Sequence, residues 1–320
     1  MRIGYDGVNS SAYLRGRHAT ATRDVGATDV SWGPSPALAA GRRSIHDFRV
    51  VAGNLDHPEC VNLGPDGNLY AGSEDGRMFR IDPANGATAV AGTVTGGIGG
   101  ICVDAGGAMY ECNYGQPQVN RIGADGKASM HSRGPADAPA ILPNYPCFDE
   151  RGNLWFSDSG GYYRPSGRLM VVRPDGRTEL ASGSQLQFPN GLALDESGRW
   201  LYVVMSTAAS IVRFPVDDDR LGEPETWIGL PGTVPDGIAF SASGNLYVAC
   251  YVPDAVLIVD PKRRVSVLAH DPGADVLTRP TNCCFGRDTT LYVSNLGGFT
   301  VVGVDVGEKG LPLRYPRLSA

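Results

Sequence analysis

The sequence has no long apolar run, almost no extended helical periodicity and no basic stripe. The first absence excludes a membrane-spanning helix, which needs about 18 or more consecutive apolar residues. The second argues against helical bundles and α/β folds, whose helices carry a 3.6-residue apolar repeat. The third, with a net charge of −6 and a pI near 5.4, argues against nucleic acid, whose phosphates are held by clustered Lys and Arg. There is no CxxC pair, no GxSxG elbow and no phosphate-binding Gly loop. Zinc ribbons, serine-nucleophile hydrolases and P-loop enzymes are therefore unsupported. Seven cysteines, an odd number without paired spacing, argue for reduced thiols and a cytoplasmic protein. The opening MRIGYDGVNSSAYLRG lacks the apolar core of a secretory signal, which points the same way. His18, His46, His131 and His270 are scattered and assemble into no catalytic unit.

What the chain has is glycine, 43 residues of 320, set between short alternating runs. Such turns and runs indicate an all-β protein. One phrase recurs: a turn, Leu or Met, an aromatic, then a small-residue strand. Its aromatics are Tyr70, Tyr110, Trp155, Tyr202, Tyr247 and Tyr292, at intervals of 40, 45, 47, 45 and 45 residues. That period, with about four short strands per unit, predicts a six-bladed β-propeller. The sixth unit lacks a fourth strand, and the orphan run DFRVVAG (47–53) is placed to supply it, so an N-terminal strand closes the ring. Residues 46–320 form the propeller domain in this reading. Residues 1–45, polar and outside the repeat, form an N-terminal extension, an arm or a cap. Cys102, Cys147 and Cys284 each fall eight residues before an anchor aromatic, where a small buried residue is wanted.

The register also exposes a polar set. FPNGLAL (188–194) and VPDGIAF (234–240) differ in using Asn190 and Asp236 before the glycine. Asn-Gly and Asp-Gly are turn dipeptides, yet both stand at the start of an apolar run. Eleven residues before each anchor, or twelve in blade four, stand Glu59, Gly99, Asn144, Asn190, Asp236 and Thr281. All six open the innermost strand of a blade, and innermost strands line the channel. Two carboxylates and two amides thus converge on one axis. Like charges desolvated together are unfavourable unless a cation lies between them. Four oxygen donors suit a hard divalent cation, calcium before magnesium or manganese. Zinc through His57 and Cys60, an ion that merely stiffens the channel, and plain turns remain alternatives.

These residues resemble the gluconolactonase, senescence marker protein and luciferin-regenerating enzyme family of six-bladed propeller lactonases, over about residues 46–310. The likeness rests on PEC around Glu59, Pro143-Asn144, FPNGLALD (188–195), and PDGIAF with GNLYVA (235–249). It implies that Glu59, Asn190 and Asp236 hold a divalent metal, that Asn144 helps bind metal or substrate, and that Asp236 is the general base. His57-Pro58-Glu59-Cys60 departs from the family's usual Gly-Pro before the Glu. SEDGRMFRI (73–81) also resembles strictosidine synthase-like propellers.

The expectation is a metal-dependent hydrolase that opens a small-molecule lactone, with Asp236 activating water and Asn144 orienting the substrate. Substrate contacts are expected from Asn113, Tyr114, Tyr162, Tyr163, Arg164, Met205, Tyr251 and Thr281, on loops 133–143 and 157–167 and their counterparts. This mouth is more apolar and aromatic than a sugar site, which favours a larger lactone than a simple aldonolactone. A phosphotriester or fluorophosphate hydrolase using the same cation, and a non-hydrolytic ligand-binding propeller, stay open. So does the oligomeric state.

Overall fold

The structure, a computed structural model, describes residues 43–318. The extension expected at 1–45 falls outside the described residues except for its last three. Six antiparallel sheets form six blades, each of four strands except blade four, which gains a short hairpin. Blade one shows the plan, with Pro58–Leu63, Leu69–Ser73, Arg77–Ile81 and Thr88–Thr93 running from channel to rim. The other inner strands are Ile98–Val103, Pro143–Phe148, Pro189–Leu194, Val234–Phe240 and Pro280–Phe285. Each packs on the next, and the sixth on the first.

The anchor aromatics explain the repeat. All six are buried. Tyr110, Tyr202 and Tyr247 meet Phe148, Phe240 and Phe285, at the end of the next blade's inner strand, edge to face at 5.0–5.1 Å. Edge-to-face pairs add to the apolar area they bury, so one position glues blade to blade. The polar tip is satisfied locally: Trp155 Nε1 donates to Asp149 at 2.9 Å and Tyr70 Oη to Asp66 at 3.2 Å.

Closure follows the sequence expectation. Arg49–Ala52 pairs antiparallel with Val301–Asp305, opposing Arg49 to Gly303. The strand from before blade one completes the sheet of blade six, so strand pairing closes the ring.

The C-terminal segment, which had no assigned role, is a strap across the far end of the channel. Leu311 N donates to Phe240 O at 2.9 Å, Arg314 Nη2 to Asp195 O at 2.7 Å, Tyr315 Oη to Leu63 O at 2.9 Å and Ala105 N to Pro316 O at 3.0 Å. These bonds tie blades five, four, one and two together. Between strap and inner strands lies a cavity of about 360 Å³ lined by Cys102, Cys147, Cys284, Ala193 and Ala239. Cys102 and Cys284 are buried as expected, while Cys147 is only half-buried. Tyr145 closes the cavity on the mouth side: its buried side chain leaves blade three and reaches the Asn282 side chain of blade six, across the ring.

Glu111 is a fully buried carboxyl outside the ring positions. It lies on Met109–Asn113, accepts from Asn120 Nδ2 at 2.5 Å and from Asn113 Nδ2 at 3.5 Å, and its Oε2 has no partner. Burial raises its pKa to about 8. A carboxyl raised on folding stabilises fully below its ordinary pKa, and that contribution declines as pH rises toward about 8. Glu111→Gln keeps the hydrogen bonds without the ionisation. The variant's denaturation midpoint relative to wild type is expected to rise between pH 5 and pH 8. A difference that does not change with pH would reject the assignment.

Candidate metal centre

Each inner strand carries a register break at its channel-mouth end. Pro58 opposes Ser73 and Cys60 opposes Gly72, which leaves Glu59 as an extra residue. Thr281 is extra in the same way between Pro280 and Asn282. In the other four blades a pair stands where the partner strand offers one residue: Gly99-Gly100, Asn144-Tyr145, Asn190-Gly191 and Asp236-Gly237. These are β-bulges, which re-aim a side chain at the cost of ladder pairing. Proline precedes the ring residue in five blades, where a missing N–H is tolerated at a strand start.

The bulges answer why Gly follows Asn190 and Asp236. Neither pair is a turn; both lie within strands. A Cβ on Gly191 would stand 2.6 Å from Asp236 O, and one on Gly237 2.7 Å from Thr281 O. At Gly99 the same atom would lie 2.8 Å from Asn144 O. Only glycine lets adjacent inner backbones approach this closely. Hydroxyls then satisfy carbonyls near the bulges from the preceding blade: Ser157 Oγ donates to Asn190 O at 2.8 Å, Ser206 Oγ to Pro235 O at 2.7 Å and Thr281 Oγ1 to Glu59 O at 2.6 Å.

The structure brings the predicted donors to one end of the channel. Asn190 and Asp236 are buried, while Glu59 and Asn144 keep partial access to solvent. Burial raises the Glu59 carboxyl to about 7, with Glu74 adding to the effect. Burial also holds Asp236 well above its ordinary value, Glu59 pushing the same way and a hydrogen bond from Asn190 opposing. No Lys or Arg offsets either group. Asn190 Nδ2 also reaches Ser206 Oγ at 3.3 Å. The available donors are therefore oxygens. Cys60 is fully buried against the Ile101 backbone with its thiol pushed up by burial, and His57 Nδ1 pairs with Asp56 at 2.9 Å. Among the described residues no group of three or more His, Cys, Asp or Glu could hold a metal; two of the four donors here are amides.

The expected substrate residues divide. Tyr251 lies within reach of Glu59 and Asp236, both of which act on its phenol. Tyr162 stacks edge to face on Phe188 at 4.9 Å and on Tyr163, which is exposed, as is Arg164. Tyr114 lies over Gly97, where a Cβ would meet its ring at 2.0 Å. Met205 is buried. Asn113 is committed to its own loop, donating to Thr95 O at 3.2 Å and accepting from Gln116 N at 2.7 Å. Thr281 spends its hydroxyl on the Glu59 carbonyl.

Sequence reasoning passed over the clamp beneath the mouth loops. Asp158 is fully buried, accepts from Ile141 N and Leu142 N at 3.0 and 2.6 Å, and pairs with Arg168 Nη2 at 2.6 Å. It binds loop 133–143 to its neighbouring strands. The signal was the Ser-Asp following an anchor aromatic, which reads as a loop start until the fold is closed.

A six-bladed propeller with an acid-and-amide ring at one mouth is the class that fold and site define. The chain belongs to the SMP-30/Gluconolactonase/LRE-like family, whose model matches residues 134–296. The strictosidine synthase-like N-terminal model matches residues 49–81. Lactonase drp35 of Staphylococcus aureus is 31% identical over 158 residues, 46% of this chain and 48% of that protein. Lactonase drp35 of Staphylococcus haemolyticus is 29% identical over 123 residues, 36% of this chain and 37% of that protein. The chain thus spans about half the length, or less, of these curated relatives. Among solved structures, a Xanthomonas campestris gluconolactonase matches with a TM-score of 0.71 at 21% identity, covering 87% of this chain and 94% of that one. Regucalcin of Agrobacterium tumefaciens, described as calcium-binding, matches with a TM-score of 0.69 at 17% identity, covering 87% and 98%. At these identities the structural likeness shows the fold. No helix among the described residues is long and apolar enough to cross a membrane.

Gly191→Ala is expected to cost about 1–3 kcal/mol by overpacking against the Asp236 backbone. Gly53→Ala, where a Cβ meets nothing within 4 Å, serves as the control. Urea denaturation of both variants measures the difference, and equal midpoints would contradict the close-approach argument.

Proposed function

We propose that this chain is a lactonase that works with a divalent cation, calcium first, to open a small-molecule lactone at the channel mouth. The observation carrying this reading is the pair of carboxylates at the channel mouth, Glu59 and Asp236, both raised by burial, with Glu59 raising Asp236 further and no basic side chain to offset either. Two such groups favour a proton or a cation between them. An oxygen-only donor set suits calcium, which takes six to eight oxygens, better than zinc. Glu59, Asn190 and Asp236 would hold the cation, and Asn144 the cation or the substrate. The lactonase naming of the staphylococcal relatives and the calcium-binding description of the Agrobacterium neighbour favour the same reading. The free thiols favour a reducing compartment such as the cytoplasm.

When bound, the cation supplies Lewis acidity to a carbonyl oxygen. Asp236, raised by burial, is the base. It takes a proton from water as the water oxygen bonds to the carbonyl carbon. The bond from that carbon to the ring oxygen then breaks, and the proton passes to the departing oxygen. The product is one hydroxy acid. Asn190 holds Asp236 by its side-chain hydrogen bond, which favours the charged form needed to accept the proton. The Asn144 amide donates to the substrate and limits its approach. Thr281 and Ser206 act on the backbone and keep the bulges in place.

Proton release from a lactone panel, with chelated and then calcium-restored protein, tests the proposal. Hydrolysis is expected to vanish on chelation and return with calcium. Asp236→Ala is expected to lose about 100-fold or more in turnover and to weaken calcium binding measured by calorimetry. Asn144→Ala is expected to lose about 10- to 100-fold in turnover with calcium binding largely kept. Near-normal hydrolysis by Asp236→Ala would sink the mechanism.

A further inference from the structure

A second tier of residues stands two positions before each ring residue: His57, Gly97, Leu142, Phe188, Val234 and Arg279, in blades one to six. Three of them, His57, Phe188 and Arg279, hold a left-handed backbone, with φ of 46°, 56° and 51°. That conformation costs a non-glycine residue about 1–2 kcal/mol, and such strain gathers at binding sites. The tier is also tied in a common way. The carbonyls of Gly97, Leu142, Phe188 and Arg279 accept from the N–H of Tyr114, Ser159, Ser206 and Leu296, each just beyond the second strand of its own blade. Three tier side chains meet an aromatic from the preceding blade: Phe188 meets Tyr162, Arg279 lies over Tyr251 at 5.2 Å, and His57 meets Phe299 at 4.9 Å.

The tier is lopsided. Blades three, four and five offer Leu142, Phe188 and Val234, an apolar half. Blades six and one offer Arg279 and His57. His57 is already paired with Asp56. Arg279 makes no ion pair among the described residues: Asp254, on the preceding blade, spends Oδ1 on the Arg279 backbone N–H at 2.5 Å. The Arg279 stem rests where a Cβ on Gly297 would lie 2.6 Å from its Cγ. Its guanidinium, half-buried and backed by an aromatic ring, is built to receive an anion from outside the chain.

We infer that this tier selects the substrate, and that Arg279 with Tyr251 receives an anionic substituent of a lactone whose apolar body lies against Leu142, Phe188 and Val234. The inference rests on the lactonase reading and names the substrate class: an amphipathic lactone carrying a carboxylate or comparable anion. Arg279 is a specificity-determining residue. It lies outside the proposed cation ligands and has no part in bond making or breaking.

Three γ-butyrolactones test it, one bearing a phenyl group, one a carboxylate and one both, each with the calcium-loaded wild type, Arg279→Gln and Arg279→Lys. Wild type is expected to prefer the doubly substituted lactone. Arg279→Gln is expected to lose about tenfold or more in kcat/KM on the two anionic lactones, mainly through KM. The phenyl lactone should change by less than about twofold, since no charged contact is lost there. Arg279→Lys, which keeps the charge, should recover part of the loss. An equal fall on all three lactones would mean a structural role for Arg279, and a wild-type preference for the neutral compound would overturn the inference outright. Should no lactone be hydrolysed, the proposed activity fails separately, and calorimetric binding of the same three compounds decides. Binding that depends on both the carboxylate and Arg279 would sustain the anion site; equal or no binding would overturn it.

Discussion

The close approach of six inner strands around one axis is the constraint on which the rest of this molecule depends. The glycines of blades two, four and five face neighbouring backbone at distances that exclude a side chain. Tight approach forces the strands out of register at the mouth, and every inner strand takes up the mismatch as a bulge. The bulge in turn disturbs the ladder just where the ring residues stand. Unpaired backbone groups are costly when buried, and Ser157, Ser206 and Thr281 answer that cost with hydroxyl bonds between neighbouring blades. Packing, backbone geometry and the placement of polar side chains are one solution rather than three.

That solution sets the electrostatics. Glu59 and Asp236 come from blades one and five and would be unremarkable carboxylates in water. Held in the channel both are raised by burial, and Glu59 raises Asp236 further, because the environment that concentrates their fields also removes the solvent that would screen them. Tyr145, crossing from blade three to Asn282 on blade six, separates this mouth from the apolar cavity above the strap. The two ends of the channel are therefore different environments: one polar and able to hold charge, the other lined largely by thiols and by aliphatic and aromatic side chains.

Above the ring, the same blade-to-blade arrangement gives the mouth its shape. The Asp158–Arg168 pair fixes loop 133–143 from below, and aromatics from blades three, five and six rest on the tier residue of the blade that follows. The mouth is apolar over blades three to five and cationic at blade six. The proposed chemistry at the ring and the proposed selection at the tier would thereby be separated by two residues along each strand.

Sequence alone determined the blade count, the closing strand and the six ring positions, because each rests on a linear register. An anchor aromatic recurs where blades must be glued, and a fixed count back from it lands on the channel. Glu59, Asn144, Asn190 and Asp236 were legible for that reason. Tertiary structure decided what no register carries. It showed that Asn190-Gly191 and Asp236-Gly237 are bulged strands and not turns, since only the neighbouring backbone reveals why the glycine is there. It committed Asn113 and Thr281 to backbone partners, and it turned the C-terminal run into a strap touching blades far apart in sequence. It also left Arg279 without an acidic partner among the described residues. Such outcomes depend on which groups from other blades arrive within bonding distance, and the strand period is silent about that.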